Sequence, residues 1–461
     1  MHALVTIARK EIQESLLSAR FALLLVLALV LIPASLYTNY RSYEVRRTDQ
    51  MEMQRRSMEQ LQGLSATQLF TNPDLRVDVY LPPVASSAFA IGFQEAHPRH
   101  VVVGRHGVEY GAPLEVSPSL GLFGSIDYLF VVQLLFSLFG VLLSFDTITR
   151  EKEAGTLRSI LASSVRRSTL AAGKFLGGFT MLALPLVIAF LVGLLALALA
   201  GLDLTTGGFL GRSVWILTSS LLYVAAFFLM GLLVSTLTRT TYAALVVSLA
   251  VWLLAVLVLP RSALLVARIA RPVESRQAVL LEKTAALADI ERAKGQALQS
   301  VYDQDPETWE ESRDEVVAPF ERQAAETARR LDEEHRLRVD AQRGLALTVA
   351  RLSPTGSLVS FVTEMAGTGL TAERRFLTDA ESYQETLYRE LFAKVFMDNL
   401  PGGTIRMGAD PSLDLEAVPE FTSNPPGPLS SLRIVDLAIL AAWSLVLALG
   451  AFFALERYDV R

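Results

Sequence analysis

The sequence predicts a mainly α, polytopic membrane protein with six transmembrane helices, a long extracytoplasmic helical hairpin and a small mixed extracytoplasmic subdomain. Three observations carry that fold class. Six mostly apolar runs lie at 21–40, 126–145, 175–200, 214–237, 242–259 and 434–455, and about 20 apolar residues in a helix cross a bilayer core. Of the 461 residues 51% are hydrophobic and 19% charged, with mean hydropathy +0.38; that balance is too apolar for a water-soluble chain and too charged for a wholly embedded one. Charge is gathered between the runs, into two long segments, 41–125 and 260–433, and one short island, 146–174.

Residues 1–20 place Leu4, Ala8, Ile12 and Leu16 every fourth position, with Arg9, Lys10, Gln13 and Glu14 between them. This pattern predicts an amphipathic helix lying in the membrane interface, either as a lead-in that orients the first span or as a lever touching a partner. The run at 21–40 reads as a retained anchor, because a polar segment precedes it and no clear small-residue cleavage site follows. An even number of spans puts both termini on one side. Arg9, Lys10 and Arg20 before the first span, Arg239 in the tight turn between the fourth and fifth, and Arg457 and Arg461 in the tail 456–461 mark that side as cytoplasmic. Both long segments then face outward.

In the first of these, residues 41–61 can continue the first span as helix, while 77–81 and 101–103 read as short strands among Pro82, Pro83, Gly104 and Gly107. His97, His100 and His106 cluster there, but their spacing is not that of a helical zinc pair and the chain has no cysteine, so no metal site is assigned. The absence of cysteine also excludes disulfides and thiol catalysis, and leaves the compartment open.

The island is the most informative stretch. Arg150, Lys152, Arg158, Arg166, Arg167 and Lys174 crowd a short connection between the second and third spans, which places it at the cytoplasmic surface. It reads as a coupling loop to which a cytosolic partner docks. Gly155 can end a helix continuing from the second span, and Thr156 can cap the next short helix.

The segment 260–433 opens with a helical hairpin. Between residues 261 and 343 there are 14 Lys plus Arg and 17 Asp plus Glu, a mixture that describes a solvated surface rather than a polyelectrolyte-binding one. With a net charge of −5, nucleic acid is not expected as a partner. The break falls at 302–306, where Asp305 and Pro306 supply an N-cap and a first-turn proline. Val317, Phe320, Ala324 and Leu331 form an apolar seam against the preceding leg. Legs of about 30 residues would reach about 45 Å. From 401 to 428 proline and glycine predict an irregular connection into the sixth span.

Catalytic motifs are absent: no HExxH, no GxSxG, no glycine-rich loop ending in GK[ST]. Ionisable residues are nearly missing from the spans, with Asp146 and Asp436 at their ends, which disfavours an ion-coupled carrier. A chain that moves material must then draw its energy from another protein.

Asp146, Arg150-Glu151-Lys152-Glu153, Gly155-Thr156-Leu157, Arg166-Arg167 and Gly173-Lys174 resemble the signature of type 2 ABC exporter permeases (the ABC-2 family). Lys10-Glu11 in the amphipathic helix is similar to a pair found there. Pro82-Pro83 with 86–92, and Met365-Ala366-Gly367-Thr368 followed by Phe376, Glu381 and Tyr383, resemble the subgroup with two large outer segments that includes gliding-motility and nitrous-oxide-reductase maturation permeases. Ser164 departs from the proline many relatives carry. The resemblance implies a non-enzymatic permease subunit in a bacterial inner membrane. It would pair with a second permease chain, identical or sister, among membrane lipids, and bind a dimer of a cytosolic ABC ATPase that holds ATP and Mg; no cofactor is expected in this chain. Leu157, Ile160 and Leu161 would then enter a groove on the ATPase, with Arg150, Glu151, Lys152 and Glu153 at the rim and Lys10 and Glu11 nearby. Export is the implied function. The alternative is a mechanical transmitter or scaffold that acts on an envelope protein through the outer helical domain.

Overall fold

A computed structural model describes residues 2–61, 76–92, 100–104, 107–110, 126–162, 166–304, 309–396, 421–423, 427 and 431–458. His97, His106, Ser164, the Asp305-Pro306 cap and most of 401–428 lie outside the described residues, as does the side chain of Leu161.

Helix α1 (His2–Leu16) precedes α2 (Ala19–Leu61), the first span. Ser18 separates them, its hydroxyl accepting from the Phe21 amide at 3.2 Å, so the polar residue at the break caps the apolar helix. At 43 residues α2 is about 65 Å long, roughly twice a bilayer core. Its second half continues beyond the apolar run and carries its own ion pairs, Arg41 with Glu44 and Arg56 with Glu52.

The chain then forms a three-stranded antiparallel sheet, β1 (Arg76–Tyr80), β2 (His100–Gly104) and β3 (Gly107–Tyr110), in that order. Val77 pairs with Val103 and Val79 with Val101; as alternate residues they present one face. The third strand was not foreseen from sequence, since Gly107 reads locally as a turn residue.

The second span, α3, covers residues 128–144 and is widened to a π-helix over Val131–Phe136. Asp127 begins it, accepting from the Phe130 amide at 2.7 Å and from the Ile91 amide at 3.1 Å. Two short helices follow, α4 (Thr149–Glu153) and α5 (Thr156–Ala162), then α6 (Arg167–Leu199) and α7 (Phe209–Leu237), the third and fourth spans. The fifth span, α8 (Thr241–Ala270), runs past its apolar run into the long segment 260–433, and Leu254–Val258 within it is a second π-segment. Pro260 accounts for that one: lacking an amide hydrogen and crowding the preceding turn, it is accommodated by a locally wider helix. The sixth span is α13 (Ile434–Glu456). Among the described residues these six helices are long and apolar enough to cross a membrane. The fourth is the central one, buried on most sides, whereas the fifth and sixth expose most of their apolar side chains.

Between α8 and α13 lie α9 (Arg276–Gln304), α10 (Trp309–Ala350), α11 (Pro354–Ala366) and α12 (Leu370–Phe396). Helices α9 and α10 form the hairpin, joined by Lys283 and Asp332 at 2.7 Å. The seam positions Val317, Phe320, Ala324 and Leu331 are half-buried, and Ala328, at 1% exposure, is its tightest point. Helix α11 is buried on every face between the fourth and sixth spans. It ends at Gly367 with φ +72°, where the Gly367 and Thr368 amides return to the Glu364 and Thr363 carbonyls, a left-handed stop that glycine adopts at no steric cost. Helix α12 lays Phe376, Ala380, Tyr383 and Leu387 on the valine face of the sheet.

Candidate functional site

The island folds as a knob that grips the ends of the other helices. Gly155 has φ +71° with open space around it, so the break between α4 and α5 is set by backbone conformation, not by packing. Thr156 does not act as the N-cap expected of it; its hydroxyl donates back to the Glu151 carbonyl at 3.4 Å and so closes the end of α4.

Each charged residue of α4 has a place. Lys152 donates from Nζ to the carbonyls of Ser235, Thr236 and Thr238 at 3.2, 2.6 and 2.8 Å, a cation on the negative end of the fourth span's dipole. It also sits 4.9 Å from the ring centre of Tyr458. Glu153 accepts from the Thr241 amide and hydroxyl at 2.8 and 2.7 Å, an anion on the positive end of the fifth span. Glu151 meets Lys174 at 2.8 Å, and Lys174, only 2% exposed, reaches Glu11 of α1 at 2.7 Å on its other side. Arg150 is exposed and pairs with Glu14 of α1 at 3.5 Å.

The backbone before the knob is held as well. The amides of Ile148 and Thr149 donate to the Ser235 hydroxyl at 3.0 and 3.1 Å. Beyond the knob, Arg167 donates to the carbonyls of Leu455, Glu456 and Tyr458 at 3.1, 2.5 and 2.9 Å, closing the sixth span. Arg20 joins the first span to the second through Asp146 at 3.2 Å and the Leu142 carbonyl at 2.9 Å.

Helix α1 docks flat on the third span because Gly173 and Gly177 leave room: a Cβ at Gly173 would meet Ile7 at 2.8 Å, and one at Gly177 would meet Ala8 and Glu11 at 2.7 Å. The face it uses is Leu4, Ile7, Ala8 and Glu11, while Leu16 is exposed.

The apolar residues of the knob divide. Leu157, 1% exposed, packs with Ile148, Leu170, Leu229, Leu232, Ala451 and Leu455, and Ile160 rests on the same cluster. Leu157 therefore anchors the knob within this chain and is not presented to a partner, unlike the groove-filling role its sequence position suggests. Arg150, Glu153, Gly155, Thr156, Arg158 and Ser159 form its exposed face. Glu151 and Lys152 are half-buried on intramolecular partners, and Lys10 is exposed beside Glu14 at 3.6 Å.

At the opposite end, the second motif group is also brought together. The Ser86 hydroxyl donates to the Ala366 carbonyl at 2.9 Å, the Thr368 hydroxyl to the Ala90 carbonyl at 3.0 Å, and a Cβ at Gly92 would strike Thr368 at 2.6 Å. Gly367 faces Val84. Phe376 and Tyr383 pack on the sheet, and Glu381 pairs with Arg336 of the hairpin at 2.8 Å. These residues clasp the two long segments between the spans to each other.

Ser235 and Thr241 hold the knob although nothing in the sequence marked them, and Arg20, read there only as a marker of the membrane side, holds Asp146. Ser235 and Thr241 are ordinary polar residues at helix ends, and only their contact with the island distinguishes them. Among the described residues no group of acidic or histidine side chains is arranged to hold a metal ion.

Residues 5–460 match the family model for the ABC-2 family transporter protein. No curated protein matches the chain. The chain belongs to the ABC-2 family of transporters, as a multi-pass membrane permease.

Proposed function

We propose that this ABC-2 family permease is the membrane subunit of an ATP-driven exporter, in which a separate cytosolic ABC ATPase dimer, carrying ATP and Mg, pushes on the island knob. The observation that carries the reading is the set of contacts made by one short segment. Lys152 and Glu153 attach the knob to the fourth and fifth spans, Glu151 through Lys174 to the third span and α1, and Arg167, just beyond it in the same island, holds the end of the sixth. Force applied to its exposed face is delivered to the whole bundle as rigid-body tilt. The termini and the knob lie in the cytoplasm of a bacterial inner membrane, both long segments lie outside, and two permease chains, identical or sister, complete the complex among membrane lipids.

Single cysteines test the arrangement. Ser159→Cys on the knob should crosslink to the co-expressed ATPase, whereas Thr48→Cys and Ser300→Cys, both exposed, should react with an impermeant thiol reagent in intact spheroplasts. Arg158→Glu should lower both ATPase co-purification and permease-stimulated hydrolysis by about tenfold, the loss that about 1.4 kcal/mol of interface charge coupling gives, with unchanged permease yield. Wild-type stimulation together with outside labelling of Ser159→Cys would refute the assignment.

A second reading is favoured by one feature. The hairpin continues through Arg351, which holds Asp436 at the start of the sixth span with Nε–Oδ1 and Nη2–Oδ2 distances of 2.5 and 3.1 Å. A pull or push on the hairpin is thereby linked to a span, as a transmitter acting on an envelope protein would require.

A further inference from the structure

Both π-segments are tied to the N-terminus of α11, the fifth span's directly through Ser353 and the second span's through Tyr223. A π-turn leaves carbonyls without their usual helical partners, and such sites recur where helices bend or work. In the second span the Gln133 carbonyl is taken by the Ser137 hydroxyl at 2.5 Å and by the Tyr223 hydroxyl of the fourth span at 2.9 Å. In the fifth span the Ala255 carbonyl is taken by the Ser353 hydroxyl. Ser353 is also the N-cap of α11, accepting from the Thr355 amide at 3.1 Å, and the Thr355 hydroxyl lies 3.2 Å from that of Tyr223. Trp252 closes the circuit by donating from the fifth span to the Ser137 hydroxyl at 2.9 Å.

The result is a chain of hydrogen bonds that runs from Gln133 through Tyr223, Thr355 and Ser353 to Ala255, closed into a ring by the fifth span's own backbone between Ala255 and Trp252 and by the Trp252–Ser137–Gln133 bonds. Ser137, Tyr223, Ser353 and Thr355 are buried. In an apolar surrounding a hydroxyl that loses its partner is costly, so the members hold or release together. Pro260 explains why the fifth span is widened, but the second span has no proline there; what its π-segment does have is a Gln133 carbonyl taken by two hydroxyls.

We propose that the N-terminus of α11, through Ser353 and Thr355, latches the π-segments of the second and fifth spans so that the two helices flex as one unit. Tyr223 is a positioning residue in this device, acting through Thr355 on the fifth span. Its use in transport rests on the coupling reading above, since the second span continues directly into the knob and Glu153 holds the start of the fifth.

The test is backbone hydrogen exchange on the permease in nanodiscs, first alone. Tyr223→Phe and Ser137→Ala each keep the packing volume nearly constant and remove ring bonds. Each should raise exchange about fivefold at both 131–137 and 254–259, as loss of one net hydrogen bond permits. Thr180→Ala, whose hydroxyl donates to a carbonyl of its own helix, should leave both segments at wild-type rates. Loosening confined to the segment a variant touches, or no loosening in either variant, would overturn the latch. Adding the ATPase with a non-hydrolysable nucleotide is the second arm. A change at both segments extends the latch into the transport cycle, whereas paired loosening in the variants without any response to the ATPase supports the latch and counts against the coupling reading.

Discussion

Two buried charge clusters, one at each end of the bundle, solve the same problem in different ways. At the knob, Lys174 is 2% exposed and its partners Glu11 and Glu151 are 12% and 15% exposed, so one cation serves two carboxylates from two separate segments. At the far end Asp436 is wholly buried, but Arg351 is 23% exposed, and the Ser360 hydroxyl adds a neutral donor at 2.9 Å. The first cluster is a three-way charge junction with little access to water. The second is a bidentate pair with one foot in solvent. The difference teaches that the knob end is held by one cation shared between two carboxylates, while the far end is held by hydrogen-bond geometry and by the buried faces of α11.

The comparison breaks most visibly at Lys174. Lys174→Met removes the single cation and leaves two carboxylates facing each other, which should cost about 3–5 kcal/mol, the range for orphaning a buried charge. Thermal unfolding in detergent should show a large fall in the midpoint, and Lys174→Met combined with Glu151→Gln and Glu11→Gln should recover much of it. An unchanged midpoint in the single variant would mean that the junction is solvated and contributes nothing.

A smaller effect is expected at the far end. Asp436→Asn keeps the shape and one acceptor while leaving Arg351 able to turn toward water, so the loss should be about 1–3 kcal/mol. Limited proteolysis should detect it as faster cleavage near Arg351 and Arg433, which also meets Glu364 at 3.7 Å, with the knob end unaffected. Equal acceleration at both ends would show the two clusters to be one cooperative unit.

Smallest of all should be the effect of removing the hairpin on the stability of the spans. Beyond its own seam it packs against the end of the fifth span, where Gln342 and Ala341 meet Arg271, and is joined to α12 by the less exposed pair Arg343 with Glu373 and by Arg336 with Glu381 and Arg374 with Asp340, the last two largely exposed and worth about 0–1 kcal/mol each. Replacing residues 273–345 by a short flexible linker should shift the melting midpoint by only a few degrees, a response expected for about 1 kcal/mol. The same variant separates the two functional readings: an exporter should keep ATPase stimulation and vesicle transport, whereas a force transmitter should lose cellular function with vesicle transport unaffected or absent throughout.

Much of this molecule was legible from residues in order. The six apolar runs, the helix–break–helix at Gly155, the continuation of the first span to Leu61 and the hairpin all depend on local quantities: runs of hydropathy, a glycine that can take positive φ, and charge that keeps a helix face in water. The island announced itself because six basic residues in a short loop are unusual between apolar runs. What each of its charges touches was not legible. Lys152 and Arg167 end on backbone carbonyls, and Glu153 on a backbone amide, groups that every residue carries and that no side-chain pattern marks. Leu157 offered the same ambiguity, since an apolar residue in a knob is equally suited to a partner's groove and to its own core. The burial of α11, the third strand and the ring joining two π-segments were decided only by the tertiary structure, because each depends on polar and apolar groups dozens to hundreds of residues apart arriving at one place. Sequence determines what each segment can satisfy by itself; packing decides where the groups left over find their partners.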